Sequence, residues 1–569
     1  MTASTLTPKK HISAQDSAAA FSSKMRTIAL VVVALAFVMD LLDSTIVNIA
    51  IPSIQSNLGA SYAAIQWLVA GYSLAFAILL VTGGRMGDVF GYKKIFMIGV
   101  GGFTLASLLS GLAPNPGLLI AARLFQGSMA ALMVPQVISL MQVMYKPSER
   151  GAINGLFGAL GGLAASLGPV VGGLLIKANV FNLDWRPIFL INVPVGIFGL
   201  VMAAKYLPDG KSTHPLRLDL RGTAILMVAL VLLIFPLIEG RELGWPIWAF
   251  LMIIASIPVF VVFALWQIKK ERLDGSPLVL PSLFKNRSFT VGLTVNMVFE
   301  AAMLGFFLTF GLLLQIGLGF SPIHAAITSL PTAIGIAVTM ATLGEKVIPK
   351  MGRNALGLGS IVMAIGLSIT MLVAHHYGLN VHSWQFILGL VIVGVGMGMI
   401  FGALFAAVLN GVDPKHAGSA SGILNAAQQV GGAVGIALIG VIFFGQLNHS
   451  AAHSFAAIEP AFRQQLSAQH ITGAGQDGLV ATTRDCFIDR SHEKDSSVVP
   501  TSCVHVTPHS PATKQILSTV TSSARQANTT NFNNAFRWSI IYELCLLALT
   551  FSLTLFLPRK FKAEAYTEA

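Results

Sequence analysis

The strongest constraint in the sequence is a series of apolar runs, each long enough to cross a bilayer. Fourteen can be read, near 27–51, 64–82, 94–113, 117–142, 151–176, 187–204, 219–238, 246–267, 288–314, 323–343, 355–374, 384–409, 418–445 and 536–557. Each is bounded by polar or Pro/Gly-rich turns. A membrane helix needs about 20 apolar residues, and a chain in lipid must satisfy its backbone polar groups within helices or a closed barrel. Runs of this length predict helices. Charge content agrees: only 11% of the 569 residues are Asp, Glu, Lys or Arg, against about 25% in an average soluble domain. The surface of a soluble enzyme this large is not available to such a chain. An all-α integral membrane protein is the expectation.

The net charge of +12 invites a nucleic-acid reading, but the positions of the basic residues argue against one. With the N-terminus in the cytoplasm, 25 of the 36 Lys and Arg residues fall on the cytoplasmic side of the fourteen segments. The short loops on the other side hold only Lys177, Arg186 and Arg241. That asymmetry follows the positive-inside rule and predicts both termini in the cytoplasm. Residues 1–26 are polar and contain no apolar run before a small-residue cleavage site, so no cleaved signal peptide is expected. The expected partition is a cytoplasmic tail 1–26, a bundle 27–204, two inserted helices 205–287, a second bundle 288–557 and a tail 558–569.

The long stretch 446–535 is polar and falls on the outer side. Phe455, Ile458, Phe462 and Leu466 recur there at helical spacing, so its first part is expected to extend segment 13 as an amphipathic helix. Cys486 and Cys503 lie in its middle, where disulfides persist, and are expected to pair. Cys545, within segment 14, reads as a small core residue.

Five stretches carry a family resemblance. Between segments 2 and 3, Gly83 to Lys94 reads Gly-Gly-Arg-Met-Gly-Asp-Val-Phe-Gly-Tyr-Lys-Lys. This resembles the signature loop of the major facilitator superfamily, which usually has basic residues where this chain has Val89 and Tyr92. The others are Leu42 to Pro52, Arg123 to Gly127, Leu167 to Gly173 and Trp185 to Gly196. Segment 13, with Gly418 to Gly422 and Asn425 to Gly432, is similar too, with Gln428-Gln429 where the family often has Arg-Gln. Together they resemble the fourteen-helix drug:proton antiporter family, the branch of the bacterial multidrug exporters.

The resemblance implies two six-helix bundles, segments 1–6 and 9–14, with segments 7 and 8 inserted, and alternating access by rocking of the halves. Only a faded copy of the signature loop, around Gly344 to Arg353, marks the second half. Gly84, Gly87, Asp88, Gly91, Lys93 and Lys94 become conformational residues. Gly168, Pro169, Gly172 and Gly173 become the antiporter signature of segment 5, where Gly155, Gly158, Gly161 and Gly162 extend a close-packing seam and Pro169 favours a kink. A packing seam without a coupling role is the plainer reading. Trp67, Tyr72, Gln126, Gln136, Gln315, Asn425, Gln428 and Gln429 are implied cavity linings, most by family position alone.

Ionisable side chains inside a membrane helix are costly and point to function. Asp40 and Asp43 share one face of segment 1. By helical rise Asp43 lies about 12 Å from the outer end of segment 1, and Arg123 about 9 Å from that of segment 4, so the two are at similar depth. Two close carboxylates in lipid do not both ionise cheaply. One of them is suited to take a proton from outside in competition with a cationic substrate, with Arg123 setting the balance. The alternative is a structural Asp–Arg lock. Glu300 lies about 18 Å from the inner end of segment 9, on a stripe with Asn296, Met303 and Phe307. This stripe suits bulky amphipathic cations; an interhelical hydrogen bond is the alternative. Glu543 reads as near the outer end of segment 14 and able to reach water. His375, His376 and His382 read as a solvated loop.

The function expected is a proton-coupled antiporter in a bacterial cytoplasmic membrane, exporting lipophilic or cationic drugs. The alternatives are a dedicated exporter or symporter of one metabolite, and a receptor or scaffold without transport. Small-molecule substrate, protons and lipid are the expected partners. Nucleic acid is not expected, and nothing in the sequence supports a periplasmic adaptor. No Gly-x-x-x-x-Gly-Lys-[Ser/Thr] loop is present, so the expected energy source is the proton gradient, with no cofactor and no bound metal.

Overall fold

Helix starts along the chain are written in local chemistry. Ser61, Asn115 and Ser321 each accept a hydrogen bond from the backbone N–H three residues on, at 3.2, 2.9 and 3.3 Å. Pro116 and Pro322 then occupy first helical positions, where a missing N–H leaves nothing unsatisfied. The computed structural model describes residues 23–145, 147–210, 217–344, 347–410, 412, 417–492, 500–503 and 511–560.

The first bundle comprises α1 (Ser23–Leu58), α2 (Tyr62–Phe90), α3 (Tyr92–Gly111), α4 (Pro116–Met144), α5 (Pro147–Ala178) and α6 (Pro187–Tyr206). Two helices follow, α7 (Leu220–Glu242) and α8 (Ile247–Asp274). The second bundle comprises α9 (Arg287–Leu312), α10 (Pro322–Leu343), α11 (Arg353–Tyr377), α12 (Ser383–Leu409), α13 (Ala417–Ala468) and α15 (Pro511–Thr554), with α14 (Ala474–His492) between the last two. Among the described residues, thirteen helices are long and apolar enough to cross a membrane. The fourteenth segment is α5, 32 residues long, with an apolar stretch Leu167–Ala178 among the described residues.

Helix contacts fall mainly within the two bundles. Between them, α2 lies on α13 and α5 on α10. The rings of Tyr62 and Phe444 stack at 4.2 Å. A Cβ at Gly440 would stand 1.9 Å from Gln66 Oε1, and one at Gly173 would stand 2.8 Å from the Ile323 backbone. All these positions lie toward one face, the face that carries the 446–535 stretch, where the halves are sealed together.

Three sequence expectations need correction. The stretch 446–535 is not mainly loop: α13 continues to Ala468 and α15 begins at Pro511. Phe455, Ile458, Phe462 and Leu466 form a small separate core with Val480 and Phe487 of α14 and Ala527 of α15. The polar sequence 511–535 gives no hydropathy signal, which is why segment 14 reads as starting late. Cys545 is exposed, because neighbouring positions turn the other face of α15 inward. The signature stretch is helical to Phe90 and turns on Gly91 alone, at φ 102°, a conformation that favours glycine.

A π-turn, Leu313–Gly317, ends α9. It leaves backbone carbonyls without helical partners. Side chains of α15 take them up: Asn528 donates to Ile316 O at 3.0 Å, Thr529 to Gly317 O at 2.6 Å and Arg525 to Leu318 O at 3.1 Å.

Candidate functional site

Five helices of the first bundle contribute to one buried polar cluster. Arg123 of α4 donates from Nη1 to Asp43 Oδ2 of α1 at 2.5 Å and to Gln126 Oε1 at 2.8 Å, and from Nε to the Leu68 carbonyl of α2 at 3.2 Å. Gln126 donates to Asp43 Oδ1 and to Ser107 Oγ of α3, both at 2.8 Å. Asn192 of α6 donates to the same Asp43 Oδ1 at 2.8 Å. Asp40 accepts a hydrogen bond from the Tyr72 hydroxyl, and the Tyr72 ring lies 4.3 Å from the Arg123 guanidinium carbon. All of these side chains are buried. A buried ion pair survives only when further hydrogen bonds satisfy its remaining lone pairs and protons, and Gln126, Asn192 and the Leu68 carbonyl supply them. Asp40 is wired to the pair through Tyr72.

Sequence reasoning places Asp43 and Arg123 at one depth and misses Asn192 and Ser107. Asn192 lies within the quoted Trp185 to Gly196 stretch, and a lone Asn in an apolar run is the signal available. Three implied cavity linings have hydrogen-bond partners of their own. Gln126 belongs to the Asp43 cluster. Trp67 points toward α7, donating to Glu239 Oε1 at 2.9 Å with its ring 6.1 Å from that of Phe235. Gln136 donates to the Gly83 carbonyl at 2.9 Å, and its amide fills the space where a Cβ of Gly87 would lie, at 1.9 Å.

The second bundle is sparser. Glu300 of α9 accepts one hydrogen bond, from Gln428 of α13 at 3.0 Å. Asn296 donates to the Leu424 carbonyl at 3.3 Å while its Oδ1 has no partner among the described residues. Met303, Phe307, Asn425 and Gln429 are half-buried on the same two helices. Gln315 lies in the π-turn, buried, with neither amide atom paired among the described residues. Glu543 does not reach water: it is wholly buried, because α15 begins 25 residues earlier than hydropathy suggests and its outer end lies far beyond this position.

Glycines of α5 set the fit around the acidic helix. A Cβ at Gly168 would meet Thr45 Oγ1 at 2.0 Å, and one at Gly172 would meet Ile46 and Ile49 at 2.7 Å. Gly168 and Gly172 thus face α1, while Gly173 faces α10 of the other half, with Pro169 inside the same helix. α5 is a wedge between the helix that carries Asp40 and Asp43 and the opposite bundle.

The signature stretch is docked onto the chain before and after the inserted helices. Arg85 donates to the carbonyls of Arg217 at 3.2 Å, Ser276 at 2.8 Å and Pro277. Lys93 lies 3.9 Å from Asp209, while Lys94 is exposed. Gly84 rests on Pro135. Tyr92 donates to Asp88 at 3.0 Å, a neutral donor where the family usually has a base. Asp219, beside this dock, accepts from Trp266 at 2.9 Å, Gly222 N at 2.9 Å, Gln267 at 3.0 Å and Leu278 N at 3.3 Å. Burial alone would push its carboxyl up, but these donors outweigh it and hold the group below the ordinary carboxylate range. The sequence gives no warning of Asp219.

On the other face, Cys486 and Cys503 are joined. His375 and His376 are exposed at the end of α11 and His382 caps α12. No group of three or more metal-ligating side chains occurs among the described residues.

Comparison with known proteins follows the same lines. The chain is 40% identical to the "Probable actinorhodin transporter" of Streptomyces coelicolor over 95% of this chain and 93% of that one. It is 35% identical to the "Puromycin resistance protein" of Streptomyces alboniger over 73% of this chain and 81% of that one. Among solved structures, an inward-facing bacterial homologue of the human lysosomal transporter Spinster superposes with a TM-score of 0.55 at 14% identity, covering 95% of this chain and all of the other; that likeness concerns fold. The model of the "Major Facilitator Superfamily" matches residues 33–436. The chain therefore belongs to the Major Facilitator Superfamily and is a multi-pass membrane transporter of small molecules, not an enzyme.

Proposed function

We propose that this transporter exports lipophilic, often cationic compounds from the bacterial cytoplasm in exchange for protons, both termini lying in the cytoplasm. The observation that carries the reading is the placement of Asp40, Asp43 and Glu300 as buried acids in both halves of a membrane transporter. A cation binding near them competes with a proton for the same negative charge. Arg123 holds Asp43 in place, and Tyr72 ties Asp40 to that pair. Rocking about the α2–α13 and α5–α10 contacts would expose the acids to each side in turn. Contacts closing the 446–535 face are those that an inward-facing state of this cycle requires. The energy source is the proton gradient, with no bound cofactor.

The test is the full-length protein in liposomes, with tetraphenylphosphonium or ethidium as probe and a pH-sensitive dye as proton reporter. Wild type should release protons on probe addition. Asp43→Asn and Glu300→Gln should each bind probe and lose the linked proton release. Full coupling in both variants would refute the assignment. A narrower reading, one dedicated metabolite, draws on the 40% identical relative, which is named for a single compound. A panel of structurally unrelated cations separates the two: the broad exporter moves several, the dedicated one almost none.

A further inference from the structure

The exchange scheme above uses Glu300 and leaves a second acid of the same bundle without a task. Glu543 of α15 is fully buried, and neither carboxyl oxygen has a hydrogen-bond partner among the described residues. A Cβ built on Gly305 of α9 would stand 3.6 Å from Glu543 Oε1 and 3.5 Å from the side chain of Ile439 of α13. The carboxyl therefore sits where α9, α13 and α15 meet, and the bare backbone of Gly305 makes room for it.

Other polar groups of α9 and α15 are similarly short of partners. Tyr542 Oη, Asn296 Oδ1 and both amide atoms of Gln315 are buried and unpaired among the described residues. Asn296, Glu300, Gly305 and Gln315 span about 28 Å of α9 at 1.5 Å per residue, close to the thickness of the hydrocarbon core. Buried polar groups are almost always hydrogen-bonded. Asn296 and Gln315 on α9 and Tyr542 and Glu543 on α15 are such exceptions on two packed helices, an arrangement suited to handling protons.

We propose that Glu543 is a second proton-binding site of the C-terminal half, distinct from Glu300, taking up and releasing one proton per transport cycle. This rests on the proton-exchange reading. An ionised carboxylate without a partner is very unfavourable at such a place, and the neutral acid far less so. In this conformation Glu543 keeps its proton. It gives the proton up to water when the three helices shift, leaving a carboxylate that the next proton neutralises. The ionisable groups facing it are few. α9 brings Glu300, about 7.5 Å away along the helix from Gly305, and α15 brings Tyr542. α13 brings the uncharged Ile439. α11 carries Arg353, bonded to the carbonyls of Leu555 and Leu557 about 18 Å farther along α15, and His375 and His376 at its other end.

The experiment uses the full chain in liposomes with tetraphenylphosphonium as probe and two readouts. The first is protons released per probe molecule moved. Glu543→Gln should release one fewer than wild type, and Glu543→Asp, which keeps the acid, should restore it with a shifted pH profile. The second is modification of wild type by dicyclohexylcarbodiimide, whose C=N bond adds the O–H of a protonated acid buried in lipid. Mass analysis should find the adduct on Glu543 at weakly acidic pH and lose it at alkaline pH. A Glu543→Gln protein with the wild-type proton count, or a wild type unmodified at Glu543 at any pH, overturns the proposal. Should Glu543→Gln fail to insert, the Asp variant and the wild-type labelling decide. A wild type that releases no proton at all brings down the exchange reading itself, while labelling still decides whether Glu543 binds a proton.

Discussion

The two bundles hold their buried charge in opposite ways. In the first, Asp43 meets Arg123, Gln126 and Asn192, and every helix except α5 adds a group to the cluster. In the second, Glu300 has one neutral partner and Glu543 has none among the described residues. A networked charge is expensive to disturb and cheap to keep; a lone acid is the reverse, changing protonation without dismantling its surroundings. The difference gives the acids of the first half a braced geometry around Arg123 and leaves those of the second half to change protonation with little disturbance of their neighbours.

The sharpest way to break this comparison is to remove Arg123. Arg123→Leu leaves Asp43 buried without its counter-charge, and about 3–5 kcal/mol of stability should be lost, read as a large drop in melting temperature in detergent. Glu300→Gln, measured beside it, should leave the melting temperature almost unchanged. Equal drops would erase the distinction between the halves. Next in size are paired glycine substitutions. A Cβ at Gly83 would stand 2.1 Å from the Ala131 carbonyl oxygen, and one at Gly435 would stand 2.4 Å from the Ala301 Cα. Gly83→Ala and Gly435→Ala should each cost about 1–3 kcal/mol, while Gly445→Ala, with nothing within 4 Å, should be neutral or mildly stabilising. Similar losses in both halves would show that they differ in electrostatics and not in packing. The smallest effect lies between the halves, at Asp219. Its carboxyl sits below the ordinary range in the folded protein, so its contribution is fully present above the ordinary carboxylate pKa and drains away as pH falls through the lower folded value. Melting temperature measured across that acid range should fall, and Asp219→Asn should flatten this part of the curve.

Much of this architecture is legible in the sequence because lipid leaves so few options: fourteen apolar runs and an asymmetric distribution of lysine and arginine suffice. Asp43 and Arg123 can be matched by counting helical rise, since both lie on helices whose ends hydropathy marks well. Counting fails for Glu543, because Thr, Ser and Asn in 511–535 conceal the start of α15. Composition also says nothing about direction around a helix. Trp67, Gln126 and Gln136 all read as cavity residues, and the structure turns them toward α7, toward Asp43 and toward the signature stretch. Asn192 and Asp219 escape notice because a single amide or a carboxylate at a helix end carries no spacing signal. Only the fold reveals how many donors converge on it.

The helical continuation of α13 past residue 445, clamped by α14 and α15, makes a stiff mast standing on the second bundle. Its 23 residues from Gln446 to Ala468 reach about 34 Å at 1.5 Å per residue. A tilt of the second bundle by about 10° would sweep the tip through roughly 6 Å over that length. The mast is thus a mechanical pointer, and a pair of distance labels, one at its tip and one on the first bundle, would read the cycle from outside the membrane.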